Sequence, residues 1–486
     1  MSRNQSALLT DLYQLTMLQA YFDEGMDDTA VFEFFVRALP AGRNFLLAAG
    51  LEQVLEYLEQ FRVTEAELVW LRAHGGFSEP FLAALGALRF TGDVHALPEG
   101  TACFIDEPML RITAPIAQAQ MVESRLLNLM HFQTLIASKA ARSVLAAPGK
   151  LLVDFGMRRA HGAEAGLLAA RAAYLAGFSG TATVLAGIEF GIPVFGTMAH
   201  SYIEAHADEI SAFRGYARSC PANVVLLIDT YDTERAAEKV VRLAPEFAIE
   251  GIQVLGVRLD SGDLAAHARA VRTILDRGGL REVTIFSSGN LDELKVLQLL
   301  ASGAPIDGFG IGTSLDTSSD APFLDCAYKL QEYAGTPRRK HSEGKATWPG
   351  RKQVYRHYAP NGTFDHDVVA LEGDPQPGRP LLVPVMRAGR RVAADETLAG
   401  ARARGGRNGA PASAPQAAAT AAHAVPRRYR AGFACLGRGA RPHAALTLDT
   451  RRTPAGPRVF SAGLLSAVAS CRAISSARAA GRWALR

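Results

Sequence analysis

Between residues 150 and 320 short apolar runs alternate with helical segments, and this alternation restricts the fold more than anything else in the chain. The runs are LLVDFG (151–156), IPVFGT (192–197), VVLLIDTYD (224–232), VLGVRLD (254–260), VTIFSSG (283–289) and IDGFGIGT (306–313). Helical patterning lies between them, near 162–176, 200–217, 233–244, 263–278 and 291–302. Strands that alternate with such helices pair in parallel, each helix crossing over the sheet. Six or seven such units in one row favour a barrel-like sheet over a doubly wound one. No G-x-G-x-x-G follows the first strand, so dinucleotide binding has little support. The expected class is α/β: an irregular β/α barrel with an N-terminal α+β domain and a small strand-rich C-terminal appendage.

The flanks differ in texture. Residues 8–24 carry a helical stripe of Leu8, Leu12, Leu15, Met17, Leu18 and Phe22, with Thr10 and Asp11 as candidate N-caps. AVFEFFVRALP (30–40) reads as a strand stopped by proline. Residues 46–60, 64–73 and 117–146 read as helices, and 91–115 as short strands with Gly and Pro turns. The chain thus divides into residues 1–150, a barrel-like catalytic region at 151–320, a small domain at 321–400 and a tail at 401–486. That tail holds 15 Arg, 25 Ala, no Lys and one acid, Asp449. Low hydrophobic content with unbalanced charge predicts disorder. Arginine without lysine is also what a shifted reading frame of a GC-rich gene would encode.

The net charge of +4 belongs to the tail, which carries +14 and leaves −10 on residues 1–400. The body therefore has no basic footprint for nucleic acid. Its apolar runs fall far short of the ~20 residues of a membrane span. Asp11, Gln14 and Gln19 interrupt any leader-like apolar block in residues 1–20. Five scattered cysteines argue against a disulfide framework or a zinc site. These features predict a cytoplasmic chain.

Parallel α/β sheets collect reactive groups at the carboxyl ends of their strands. Here those ends carry Asp154, Gly156, Arg158, Arg159 and His161, then Thr197 and His200, then Asp229, Tyr231 and Asp232. Arg258, Asp260, Ser261 and Asp263 follow, then Ser287, Ser288, Gly289 and Asn290, and last Gly310, Gly312, Thr313 and Ser314. The small residues of SSGN and GIGTS let backbone N–H groups approach a phosphate at a helix N-terminus; otherwise both are plain tight turns. Arg158, Arg159 and Arg258 suit carboxylate or phosphate, although a surface ion pair is the commoner role of any one arginine. Asp260 is a candidate for Mg²⁺ shared with substrate phosphates, and Asp263 for a helix cap. His200 opens a helix, where it is able to act as nucleophile or base, its tautomer fixed by a carboxylate. His131 and His161 read as structural.

Taken together, TDLYQ (10–14), DFG-x-RR (154–159), GT-x-AHS (196–201), VRLDSGDL (257–264) and GIGTS (310–314) resemble the nicotinate phosphoribosyltransferase family. The similarity covers about residues 6–395 and includes GDVHALPEGT (92–101) and LLNLMHFQTLIASKAAR (126–142). The resemblance implies a type II phosphoribosyltransferase fold, classed as a ligase. It implies coupling of nicotinate to 5-phosphoribosyl 1-diphosphate with Mg²⁺, and ATP hydrolysis through a phosphohistidine at His200. It places Tyr13, Thr197 and Arg258 on nicotinate, and Arg158 near the pyridine ring and phosphate. It places Thr313 at the phosphoribosyl site, beside Ser288, Gly289 and Gly312 of the two candidate phosphate turns, with Asp260 as the catalytic and metal candidate read above. It also implies a homodimer in which Tyr13 comes from the neighbouring subunit.

Nicotinamide-using relatives carry Asp in the segment that reads GTATV here. Ala182 at that place favours a carboxylate substrate, which an Asp would repel. The competing readings are a nicotinamide-type or quinolinate-type enzyme, and a homologue impaired by its altered C-terminus.

Overall fold

The computed structural model describes residues 6–341, 347–392, 396–408 and 427–429. A six-stranded parallel sheet runs in the order Gly180–Thr181, Leu151–Asp154, Gly308–Ile311, Thr284–Ser287, Gly256–Leu259 and Val225–Leu227. Its apolar runs are nearly continuous because parallel strands are covered on both faces. The intervening helices bury one stripe each. In Thr233–Ile249 the stripe is Ala236, Ala237, Val240, Leu243 and Phe247, at helical spacing. Four of the helices open on an aspartate that accepts a backbone N–H: Asp208 from Ser211, Asp232 from Arg235, Asp263 from Ala266, and Asp292 from Lys295. Such caps contribute about 1 kcal/mol each. The last three turn the chain just beyond the strand ends and leave the intervening loops on one rim.

The α/β class is as expected, but closure into a barrel is not shown by the strand pairing. The IPVFGT run makes a single parallel bridge, Val194 to Thr181. Pro193 has no N–H to donate; its carbonyl accepts from Thr181 at 3.1 Å. Toward the far edge, Asn223 Nδ2 donates to the Gly196 carbonyl at 2.8 Å, a side-chain link where a ladder would have to close.

A second, antiparallel sheet centres on Thr29–Val36, flanked by Cys326–Tyr333 and Leu110–Pro115, with Asp93–Ala96 and Val383–Arg387 beyond. Segments far apart in sequence therefore share one sheet. The long helix Glu123–Ala146 serves two cores. Leu126, Leu129 and Leu135 pack into that of the antiparallel sheet. Ile136, Ala137 and Ala140 pack with Leu152, Leu226 and Phe309 of the parallel one. A third sheet holds Arg379–Pro380, Lys352–Tyr358, Phe364–Leu371 and Arg427–Tyr429. Among the described residues no helix is long and apolar enough to cross a membrane. The expected disordered or aberrant tail falls mostly on residues 409–426 and 430–486, outside the described residues. Within it, Leu398–Asn408 is a helix.

Candidate active site

Arg258 projects from Gly256–Leu259, and its Nη1 donates to Thr197 Oγ1 at 2.7 Å. Its Nε is buried and has no hydrogen-bond partner among the described residues. Burial holds the guanidinium below the usual arginine range, with Asp260 and Asp229 opposing and Arg158 adding to the effect. A half-satisfied, half-buried guanidinium beside a threonine is a ready receptor for a carboxylate.

His200 is the first residue of the helix His200–Glu204. Its Nδ1 lies 3.1 Å from Thr230 Oγ1 and its Nε2 3.9 Å from Asp260 Oδ2. Both His200 and Asp260 side chains are 36% exposed, so a ligand can reach them. Asp260 is held on two sides. Its N–H donates to Asp229 Oδ2 at 2.8 Å, and Ser288 Oγ donates to its Oδ1. The Ser261 hydroxyl also donates to Asp229 Oδ2, at 2.6 Å, while Asp229 Oδ1 is buried and finds no donor among the described residues. Among the described residues no group of three metal-ligating side chains assembles. Mg²⁺ needs only one or two carboxylates plus substrate phosphates, and Asp260 with the orphaned oxygen of Asp229 fits that requirement.

Gly289 has φ of +98°, and a Cβ there would stand 1.9 Å from the Asp260 carbonyl oxygen. The SSGN turn is thus pressed against the Asp260 backbone. Gly312 precedes the helix Thr313–Asp316, and Thr313 Oγ1 accepts from Arg159 Nη1 at 3.2 Å. Arg158 and Arg159 are exposed on the turn Met157–Arg159. Ala182, which leaves no carboxylate at its place, is exposed beside the same strand ends.

Direct contacts thus join His200 to Asp260, Asp260 to Ser288, Arg258 to Thr197, and Arg159 to Thr313. Tyr13 makes no contact with this group in its own chain. It lies on Leu12–Asp23, 48% exposed, with its hydroxyl pushed up by burial and by Glu123 and Asp11. Three residues escaped the sequence reading of roles: Thr230, the partner of His200; Asp229, which braces Asp260; and Phe155. The Phe155 ring is half-buried at the strand ends, 5.7 Å from that of Phe286. Its place inside DFG-x-RR was the available signal.

Family models for the nicotinate phosphoribosyltransferase (NAPRTase) N-terminal domain and for the NAPRTase family match residues 8–131 and 151–338. Nicotinate phosphoribosyltransferase pncB2 of Mycobacterium tuberculosis is 52% identical over 397 residues, covering 82% of this chain and 85% of that protein. The Bacillus subtilis nicotinate phosphoribosyltransferase is 42% identical over 358 residues, 72% of this chain and 73% of that one. The crystal structure of human nicotinic acid phosphoribosyltransferase superposes with a TM-score of 0.74 at 30% identity, covering 82% of this chain and 93% of that one. Sequence and fold agree, and the chain belongs to the nicotinate phosphoribosyltransferase family.

Proposed function

We propose that the protein is a nicotinate phosphoribosyltransferase. It joins nicotinate to 5-phosphoribosyl 1-diphosphate, releases diphosphate and forms nicotinate mononucleotide, with ATP hydrolysis coupled through His200. The observation that carries this reading is the half-buried Arg258–Thr197 pair on the same strand-end rim as the Arg159–Thr313 contact. One receives the pyridine carboxylate; the other receives the sugar phosphate. The pyridine nitrogen attacks the anomeric carbon as the carbon–oxygen bond to diphosphate breaks, so the electron pair leaves on diphosphate. Phe155 offers one ring face to the pyridine, and Tyr13 of a second copy offers the other.

Asp260 and Asp229 would hold Mg²⁺, which when bound takes up charge on the diphosphate. Arg158 adds positive charge to the same rim. Ser288 keeps Asp260 aimed toward His200. Thr230, at Nδ1, orients the imidazole and leaves Nε2 facing the open side toward Asp260. Phosphorylation of His200 by ATP, followed by hydrolysis, would couple about 1.4 kcal/mol to each tenfold shift of the overall equilibrium. The three free cysteines among the described residues, Cys103, Cys220 and Cys326, suit the reducing cytoplasm in which we place the enzyme.

The test is product formation by the purified full chain with 5-phosphoribosyl 1-diphosphate, ATP and Mg²⁺, given either nicotinate or nicotinamide. Nicotinate is expected to be the better substrate by kcat/KM. Nicotinamide turned over at least as well would overturn the acid assignment made from Arg258 and Ala182.

A further inference from the structure

A second pair of carboxyl groups lies beneath the rim, and the chemistry above does not use it. Asp154 ends the strand Leu151–Asp154 and Asp316 ends the helix Thr313–Asp316; they are 0% and 1% exposed. Asp154 is supplied with donors: Oδ1 accepts from the Gly156 N–H at 2.8 Å and Oδ2 from the Thr181 hydroxyl at 2.7 Å. Asp316 receives no N–H or hydroxyl from elsewhere among the described residues. The DFG turn is seated on it: a Cβ added to Gly156 would stand 2.1 Å from Asp316 Cγ.

Thr181 and the Gly156 backbone donate to Asp154, the two carboxyls face each other, and among the described residues no ion pair reaches either one. Arg158 and Arg159, on the adjoining turn, are exposed. Two ionised carboxylates in a buried, cation-free space are strongly disfavoured, so one retains a proton. The two donors on Asp154 favour its charged form, which leaves the proton on Asp316. Burial and the neighbouring Asp154 charge hold the Asp316 carboxyl well above the ordinary range.

We propose that Asp316, as a neutral carboxylic acid, donates to Asp154 and so fixes the spacing between the Phe155–Arg159 turn and the Gly312–Thr313 turn. Both aspartates are then positioning residues for the sugar-phosphate subsite. This rests on the reading that Arg159 and Thr313 receive that phosphate.

Asp316→Asn keeps an N–H donor and cannot ionise; Asp316→Ala has no donor. In Asp316→Ala the KM for 5-phosphoribosyl 1-diphosphate is expected to rise about tenfold, with less than about a twofold change for nicotinate. Asp316→Asn is expected to bring it back to within about threefold. A carboxyl whose folded pKa is raised stabilises the fold below its unfolded pKa, about 3.9. That contribution is lost as pH rises through the folded value. The melting temperature of the parent should therefore fall with rising pH relative to that of Asp316→Asn.

Without any substrate, the infrared spectrum of the parent at neutral pH should show the carbonyl stretch of a protonated carboxylic acid, a band absent in Asp316→Asn. A parent without that band, or Asp316→Asn binding the sugar diphosphate as poorly as Asp316→Ala, overturns the proposal. A parent that shows the band yet never uses the sugar diphosphate would sink the reading of the site while leaving the shared proton established.

Discussion

On the proposed reading, Arg258 sets specificity from a half-buried position. Its Nη1 is satisfied by Thr197, while its Nε is left for a ligand. Lysine in its place keeps a positive charge and loses the planar fork. Arg258→Lys is therefore expected to raise the KM for nicotinate by about 10- to 100-fold, the equivalent of about 1.4–2.8 kcal/mol. Initial rates against nicotinate concentration check this, and an unchanged KM would remove Arg258 from the carboxylate. Thr230 has a different job. Its hydroxyl holds His200 Nδ1, so Thr230→Val should slow labelling of the protein by γ-labelled ATP about tenfold, and Thr230→Ser should restore it. Arg258 and His200 were legible in the sequence because charged residues and histidines stand out at strand ends. Thr230 and Phe155 were not: a hydroxyl or a ring inside an apolar run has no spacing signature, and only the fold shows what it touches.

At the level of elements, the turns decide the site. Gly289 combines a left-handed φ with a backbone approach that no side chain fits. Gly279 has φ of +77° and open space around it. Gly279→Ala should cost about 1 kcal/mol from backbone strain alone. Gly289→Ala should cost more and also raise the KM for 5-phosphoribosyl 1-diphosphate, because the SSGN turn must move off Asp260. Equal melting temperatures and equal KM values for the two variants would contradict this. The strand–helix alternation was readable because period and turn residues are local signals. Where the reading differed, a local cause is visible. Pro193 limits its run to one bridge. The expected helix at 200–217 is two, His200–Glu204 and Glu209–Ser219, because the Asp208 carboxylate caps the second by accepting from Ser211 N at 2.7 Å. That break leaves His200 on a short, exposed first turn.

For the molecule as a whole, long-range pairing is what the sequence hid: nothing local says that Thr29–Val36 will pair with Cys326–Tyr333. The same holds for Arg402, which lies beyond the recognised motifs. Its guanidinium donates to the carbonyls of Tyr174, Phe178 and, at 2.9 Å, Gly177, at the end of the helix Ala163–Ala176. It also lies 4.4 Å from the Tyr174 ring centroid. A cation on the last carbonyls of a helix is favourable, so Arg402→Ala should lower the melting temperature with little effect on KM for either substrate. A loss of activity at unchanged stability would give that helix a catalytic role instead.

Assembly is the remaining question at this scale. Tyr13 is half exposed on a helix that also exposes Leu12 and Phe22, and in its own chain it contacts none of the rim residues. On the proposed reading Tyr13 reaches the site from a second copy, which would make each site a product of two chains and the interface isologous. Tyr13→Ala and His200→Ala homodimers should each be impaired. Co-expressed, they should form heterodimers with one site carrying both lesions and one carrying neither. With random pairing half of the dimers are mixed, so about a quarter of the sites, and about a quarter of the parent activity, should return. A mixture no more active than its components would place Tyr13 in the site of its own chain or outside the site altogether.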